Sequence, residues 1–561
     1  MTGIKRDKSG RWKVLIVALT ALLLSPAGVH AEEEDATSDM AIARNLAVFN
    51  SLYKELNTFY VDTINARKSI ETAINAMLDD IDPYTEYIPA KQQEDFMTIS
   101  TGEYGGIGSV IMERKGEVYI SEPYEGSPAA RAGLKAGDKI VMIDGDSVSG
   151  WGNKKVSEHL KGQPSTKLRV VVERPYTDST LTFDITREKI NVNPVPYYGV
   201  IRGNIGYIGL NTFSQKSADA VREALTELRA NKAVKMIALD LRGNGGGLLG
   251  EAVKLVGLFV PTGSEVVSTR GKMVFKNQTF YTEAAPLDLG MPLVILTDFS
   301  TASAAEITAG ALQDYDRAVI VGQRTYGKGL VQQPCELGGI GGGVLKVTTS
   351  KYYIPSGRCV QAYEFEDGTP RHLPDSLSKI FHTKAGREVH DCGGIAPDIV
   401  VKEDSLPNLI TYLMLSNLVT DYVARYRTTH PTIDAPEQFH LTDAEYADFI
   451  AFLKENKFTY DRQSSKTLKV LRSIAELEGY AEQAKEQLDA LESIFTRNED
   501  YDYRKWEKQI RAIIEPAILT DYYYQRGAKE YDLRTNPTVA RGLEILSSDA
   551  TYHRVLSPAK P

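Results

Sequence analysis

Met291-Pro-Leu-Val-Ile-Leu-Thr-Asp-Phe-Ser-Thr-Ala-Ser-Ala-Ala-Glu306, read with Gly322-Gln-Arg-Thr-Tyr-Gly-Lys-Gly-Leu-Val-Gln332, decides how this chain folds. Met291–Leu296 is an apolar, strand-like run. It passes through Thr297–Ser300 into the small residues Thr301-Ala-Ser-Ala-Ala305, and a helical pattern then continues to about Tyr315. Small residues let the backbone turn sharply, which places Ser303 near a helix N-terminus, where unpaired N–H groups and the helix dipole favour negative charge. Val319-Ile-Val321 reads as a second strand that ends in the loop carrying Lys328. Lys328 follows Ser303 by 328 − 303 = 25 residues, the length of one helix and one strand. Both residues are therefore expected on one rim of an α/β sheet.

These residue types suit nucleophilic acyl transfer. A serine hydroxyl needs a base to take its proton. A lysine can be that base when burial disfavours its ammonium form. Gly327 and Gly329 would let the Lys328 backbone pack close to the serine, and Gln332 could hold the amine through its side-chain oxygen.

Thr301-Ala-Ser-Ala-Ala-Glu306 and Thr325-Tyr-Gly-Lys-Gly-Leu-Val-Gln332, at this spacing, resemble the carboxyl-terminal processing peptidases, or tail-specific proteases. The resemblance runs from about Leu46 to Val401. It implies Ser303 as nucleophile, Lys328 as general base and Gln332 as the residue orienting the lysine. It also implies an oxyanion hole made by the N–H after the serine, Ala304, and one from Gly245-Gly-Gly247, for which Gly246 is the expectation. The family loop often has Pro where Gly245 stands, so the choice among the three glycines stays open.

The implied architecture is multidomain α/β. A signal peptide is expected over 1–31, a helical segment over 32–99, a PDZ domain over 100–190, a Ser-Lys peptidase domain over 191–404 and a helical domain over 405–561. The N-terminus carries Lys5, Arg6, Lys8, Arg11 and Lys13, then the apolar Val14–Leu24 and a plausible cleavage site at Val29-His-Ala31. That pattern reads as a secretory signal, with an uncleaved membrane anchor as the alternative. Export to the periplasm of a Gram-negative bacterium is the expected localisation. Helical periodicity marks 39–64 and 69–78, and the Asp80-Ile-Asp-Pro83 turn resembles the family's segment that leads into its PDZ domain, from which no catalytic role follows.

Tyr104-Gly-Gly-Ile-Gly108 enters a strand-rich module that closely resembles a PDZ domain. Such domains add a peptide as an extra strand and cradle its terminal carboxylate on backbone N–H groups. Gly105, Gly106, Ile107 and Gly108 are the candidates for that cradle, and Leu160 for the pocket wall. Protein or peptide substrates with free, apolar C-termini follow as partners. In the peptidase region, Ile205–Leu210 and Met236–Leu239 read as strands, 218–231 as a helix and Glu364–Arg387 as a polar surface loop. Beyond residue 405, Lys466–Phe495 and Trp506–Tyr524 are amphipathic runs without a catalytic motif. They suit a structural or dimerising domain, with adaptor docking as the alternative.

Other classes fit poorly. A net charge of −9 argues against nucleic-acid binding. No Cys/His cluster has metal-ligand spacing and no cofactor is expected; Cys359 and Cys392 are the candidate disulfide pair beside Cys335. Gly245–Gly250 matches a dinucleotide fingerprint only by lying in a glycine run, and Gly329 stands where a P-loop needs Ser or Thr. No G-x-S-x-G surrounds Ser303 and none of the eight histidines lies in either catalytic segment, so a Ser-His-Asp triad is disfavoured. A non-catalytic PDZ scaffold remains as the alternative function, although it would have no chemical need for Ser303, Lys328 and Gln332 together.

Overall fold

Leu293–Thr297 forms a central strand of a six-stranded sheet in a computed structural model that describes residues 38–177, 180–338, 342–402, 406–496 and 499–557. The order is Tyr197–Ile201, Ile205–Gly209, Met236–Asp240, Leu293–Thr297, Val319–Gly322 and Ile399–Val400. Only the first strand runs antiparallel to its neighbour. Successive strand residues point to opposite faces, and here both faces are apolar, as expected for a parallel sheet covered on both sides. Ile208, Ile237, Leu239, Leu293, Ile295 and Ile320 face the helices Ser217–Ala230, Leu249–Val256 and Ala304–Asp314. Tyr207, Ala238, Val294, Leu296, Val319 and Val321 face the other way.

That second face is covered by the end of the chain. Val539, Leu543, Ile545 and Leu546 of the helix Pro537–Ser547, with Tyr552 of Asp549–Leu556, complete its core. Tyr552 also accepts the Leu293 N–H at 3.0 Å. The rest of the C-terminal region has its own core, built from Asn408–Leu415, Leu418–Thr429, Asp443–Glu455 and Glu507–Thr535. The 466–495 run divides into Gln463–Leu477 and Lys485–Thr496 around Gly479, and the longest helix breaks at Tyr524.

A second sheet frames the lysine. Val344–Tyr353 is its centre, flanked by Leu330–Glu336, by Glu265–Gly271 and by Glu86–Ile88 from well before the PDZ domain. The PDZ domain is a separate sheet with its own core around Ile120, Ile140, Val156 and Val170. It docks on the helical region through Arg114, whose guanidinium donates to both Asp421 oxygens at 2.6 and 2.7 Å.

Three expectations change. The polar surface segment Glu364–Arg387 is largely exposed but contains two hairpins, Tyr363–Glu366 with Thr369–His372 and Ile380–His382 with Glu388–His390. Cys359 and Cys392 are free thiols rather than a disulfide, although the Cys392 N–H donates to the Cys359 carbonyl at 3.1 Å. The first helix ends at Phe59 and the second spans Ala66–Asp79. The signal-peptide expectation over 1–31 lies outside the described residues.

Candidate active site

Three loops meet at the carboxyl ends of the parallel strands: Leu241–Leu248, Asp298–Ser303 and Gln323–Gly329. Open parallel sheets place their functional crevices at this edge. Asp298 joins the first two, accepting the N–H groups of Gly243 and Ser300 and the Thr301 hydroxyl. Tyr326 N–H donates to Thr301 O at 3.0 Å and joins the third.

Ser303 sits at the turn from strand to helix with φ 55° and ψ −116°. A non-glycine residue rarely adopts this backbone, and such strain is characteristic of a nucleophile elbow. The helix begins at Ala304, whose N–H has no hydrogen-bond partner among the described residues.

Glu306 holds the elbow. Its carboxylate is fully buried and accepts four donors. Oε2 takes the N–H groups of Ser303 and Lys328, each at 2.8 Å. Oε1 takes the Gly327 N–H at 2.7 Å and the Thr325 hydroxyl at 2.5 Å. Burial pushes this carboxyl above its ordinary range, and the four donors act against that shift by favouring the anion. One carboxylate thus fixes the serine and lysine backbones to each other. Sequence reading quoted Glu306 but gave it no role; its position three residues after Ser303 was the available signal, because S-x-x-E is a capping-box pattern.

Lys328 is partly buried. Burial, aided by the Lys346 ammonium, lowers its pKa to about 8, with Asp82, Glu306 and Glu86 acting in the opposite direction. The flanking glycines do allow close packing, but against Gln361 and Ala362 rather than the serine. A Cβ on Gly327 would lie 2.4 Å from Ala362 Cβ, and one on Gly329 2.6 Å from Gln361 N. The amine itself lies over the Tyr84 ring, 4.2 Å from its centroid. Among the described residues it makes no hydrogen bond to Ser303 Oγ or to Gln332. Gln332 instead donates through Nε2 to Thr348 Oγ1 at 3.1 Å. The expected Gln332–Lys328 contact is therefore absent from this conformation.

The glycine loop also differs in detail. Gly246 packs directly on the elbow: a Cβ there would lie 2.6 Å from Ala302 O and 2.8 Å from Ser303 Cβ. Its N–H, however, donates to Asn244 Oδ1 at 2.9 Å, so it is not the free donor that sequence reading expected. The N–H groups of Gly245 and Gly247 have no partner among the described residues. Asn244, buried and donating to Leu210 O, was missed as the residue that shapes this loop.

In the PDZ domain the predicted cradle divides. Gly105 and Gly106 lie in the strand Glu103–Gly106, paired with Glu188–Asn191. Ile107, Gly108 and Leu160 line a small cavity with Tyr104, Ile111 and Lys161. It opens between the edge strand Ser109–Arg114 and the helix Asn153–Leu160.

An elbow serine and a partly buried lysine on the carboxyl edge of an α/β sheet, in a chain that also carries a PDZ-like module, point to a class of serine peptidases. Comparison with known proteins agrees. The model of peptidase family S41 matches residues 204–369, a PDZ domain model matches 119–174, and the C-terminal helical domain of a probable PDZ-protease matches 409–546. The carboxy-terminal-processing protease of Bartonella bacilliformis is 34% identical over 352 residues, covering 62% of this chain and 80% of the relative. A probable CtpA-like serine protease of Staphylococcus aureus is 32% identical over 390 residues, covering 68% and 77%. A solved photosystem II D1 C-terminal processing protease aligns at 28% identity over 63% of this chain and 86% of its own, with a TM-score of 0.35. The chain belongs to peptidase family S41, among the carboxy-terminal-processing serine proteases that carry a PDZ domain.

Proposed function

We propose that this protein is an exported endopeptidase that captures protein C-termini in its PDZ domain and cuts peptide bonds with a Ser303–Lys328 dyad. The observation that carries this reading is the Glu306 carboxylate, which accepts the backbone N–H of both residues at 2.8 Å. Such a clamp fixes the two backbones with respect to each other, which keeps the lysine loop beside the serine. Neutral Lys328 takes the Ser303 proton and the oxygen attacks the scissile carbonyl. The Ala304 N–H and one from Gly245 or Gly247 receive the developing negative charge. Lys328 then returns the proton to the leaving amine, and water, activated by the same amine, releases the acyl group.

The sign of the pH dependence follows. The base works only when deprotonated, so kcat should be low at pH 6 and rise to a plateau, with a midpoint near the lysine's value of about 8. Steady-state cleavage of an unfolded protein between pH 6 and 10, with Ser303→Ala as the blank, checks this. A flat profile would remove Lys328 from the role of base.

Tail recognition has its own test. The small cavity at Ile107, Gly108 and Leu160 lies beside the edge strand Ser109–Arg114, where a peptide strand can add and bring its terminal carboxylate to the loop backbone. A peptide with an apolar free-acid terminus should bind at least tenfold more tightly than its amide in calorimetric titration. Equal affinities would exclude carboxylate capture. Export rests on the basic and apolar N-terminal pattern, and appearance of the mature chain outside the cytoplasm is its check.

A further inference from the structure

The segment Asp82–Ile88 reaches the lysine from the other end of the catalytic region's sequence. Asp82 is buried, and its carboxylate organises a turn: Oδ1 accepts the N–H groups of Tyr84 and Thr85 at 2.7 Å each, and Oδ2 accepts the Thr85 hydroxyl at 3.0 Å. The strand that follows is pinned to Val344–Tyr353, with Glu86 opposite Lys346 and ion-paired to it. Thr85 Oγ1 accepts the Thr348 N–H at 3.2 Å, and Thr348 is the residue that holds Gln332. This framework presents the face of Tyr84 to the Lys328 amine. The ring is itself held by an edge contact with Phe365 and by a 3.4 Å contact between its hydroxyl and that of Tyr326.

We propose that Tyr84 is a positioning residue for the catalytic amine: its ring face seats Lys328 Nζ and shields it from water. The assignment rests on the reading of Lys328 as the base. An aromatic face attracts an ammonium but offers no lone pair in line with an N–H, so the amine is held without being tied by a strong acceptor. The same ring removes water from around the nitrogen, and burial is the largest influence lowering its basicity. The charged groups acting on the amine are Lys346, which lowers its pKa, and Asp82, Glu306 and Glu86, which raise it; Tyr84 itself stays protonated because burial raises its pKa. A turn that precedes the PDZ domain thereby completes a centre whose other members follow it.

The test uses the full chain, an unfolded protein substrate and pH values from 6 to 10. Tyr84→Phe keeps the face and should stay within twofold of wild type in kcat with the same midpoint. Tyr84→Leu keeps apolar bulk but loses the face, and should lose at least tenfold in kcat with KM little changed. Tyr84→Ala removes the ring's attraction for the ammonium, whose loss lowers the midpoint, and its exclusion of water, whose loss raises it; because burial is the largest influence on this amine, the midpoint should move up. Wild-type kcat in Tyr84→Leu, or equal impairment of Tyr84→Phe and Tyr84→Leu, would overturn the assignment. So would a Tyr84→Ala midpoint that stays or falls; if that variant does not fold, the Phe and Leu pair decides alone. An active Lys328→Ala protein would sink the dyad itself, and is distinguishable because it needs no Tyr84 variant to be seen.

Discussion

Glu306→Ala should leave no more proteolysis than removal of the Ser303 hydroxyl itself. The carboxylate fills a fully buried site and is the shared acceptor for Ser303 N–H, Thr325 O–H, Gly327 N–H and Lys328 N–H. Removing it orphans four donors, of which the Thr325 hydroxyl and Gly327 N–H are buried and cost about 1–3 kcal/mol each. It also frees the strained serine to relax and the lysine loop to drift, and a displacement near 1 Å can cost ~100-fold in rate. Glu306→Gln separates charge from shape. Its one oxygen can serve either Ser303 and Lys328 or Thr325 and Gly327, while its amide NH₂ faces the other two donors. We expect at least a 100-fold loss of kcat/KM for Gln, with a lower thermal midpoint but a folded protein. Cleavage assays together with thermal unfolding check this. A Glu306→Gln enzyme within threefold of wild type would show that the clamp does not set the geometry.

The parts of this fold that sequence revealed are those fixed locally. Leu293–Thr297 and Val319–Gly322 read as strands because both of their faces are buried, which makes the run continuously apolar. Ser303 and Lys328 stood out because turn chemistry and glycines surround them. Gln332 lies in the extended strand Leu330–Glu336, where its side-chain amide donates to Thr348 rather than to the lysine. Tyr84 was invisible for another reason: nothing local distinguishes it, and its partner lies beyond an entire inserted domain. The hairpins within 363–390 escaped because their strands are only three or four residues long and largely exposed. Amphipathicity identified the last helices but could not say that Val539 and Leu543 would leave the helical core for the peptidase sheet. Arg242 shows what that return accomplishes: it bridges Asp240, at the end of a sheet strand, and Asp532 in the long C-terminal helix, at 2.6 Å each.

Gly246→Ala is the second change expected to abolish turnover, and it tests the elbow from the opposite side. Gly246 has φ +95°, a conformation that costs an alanine roughly 1–3 kcal/mol before any contact is counted. The added methyl would also lie 2.6 Å from Ala302 O, 2.8 Å from Ser303 Cβ and 2.9 Å from Ala304 N. These are backbone atoms or the Cβ of Ser303, so the glycine loop or the elbow must move. Either movement separates the serine from the N–H groups proposed to receive the oxyanion. A loss of at least ~100-fold in kcat follows from displacement on that scale. Gly245→Ala is the control: its Cβ would meet nothing within 4 Å, it has no positive φ, and its N–H is retained. That variant should cleave within about threefold of wild type, since the methyl meets no atom and the backbone N–H, a candidate oxyanion donor, stays in place. Parallel kinetics on the two neighbours isolate the contact, because loop flexibility is reduced by one alanine in both. If both variants were equally impaired, loss of loop freedom would be the cause. If neither were impaired, the packing of Gly246 on Ser303 would have no part in catalysis.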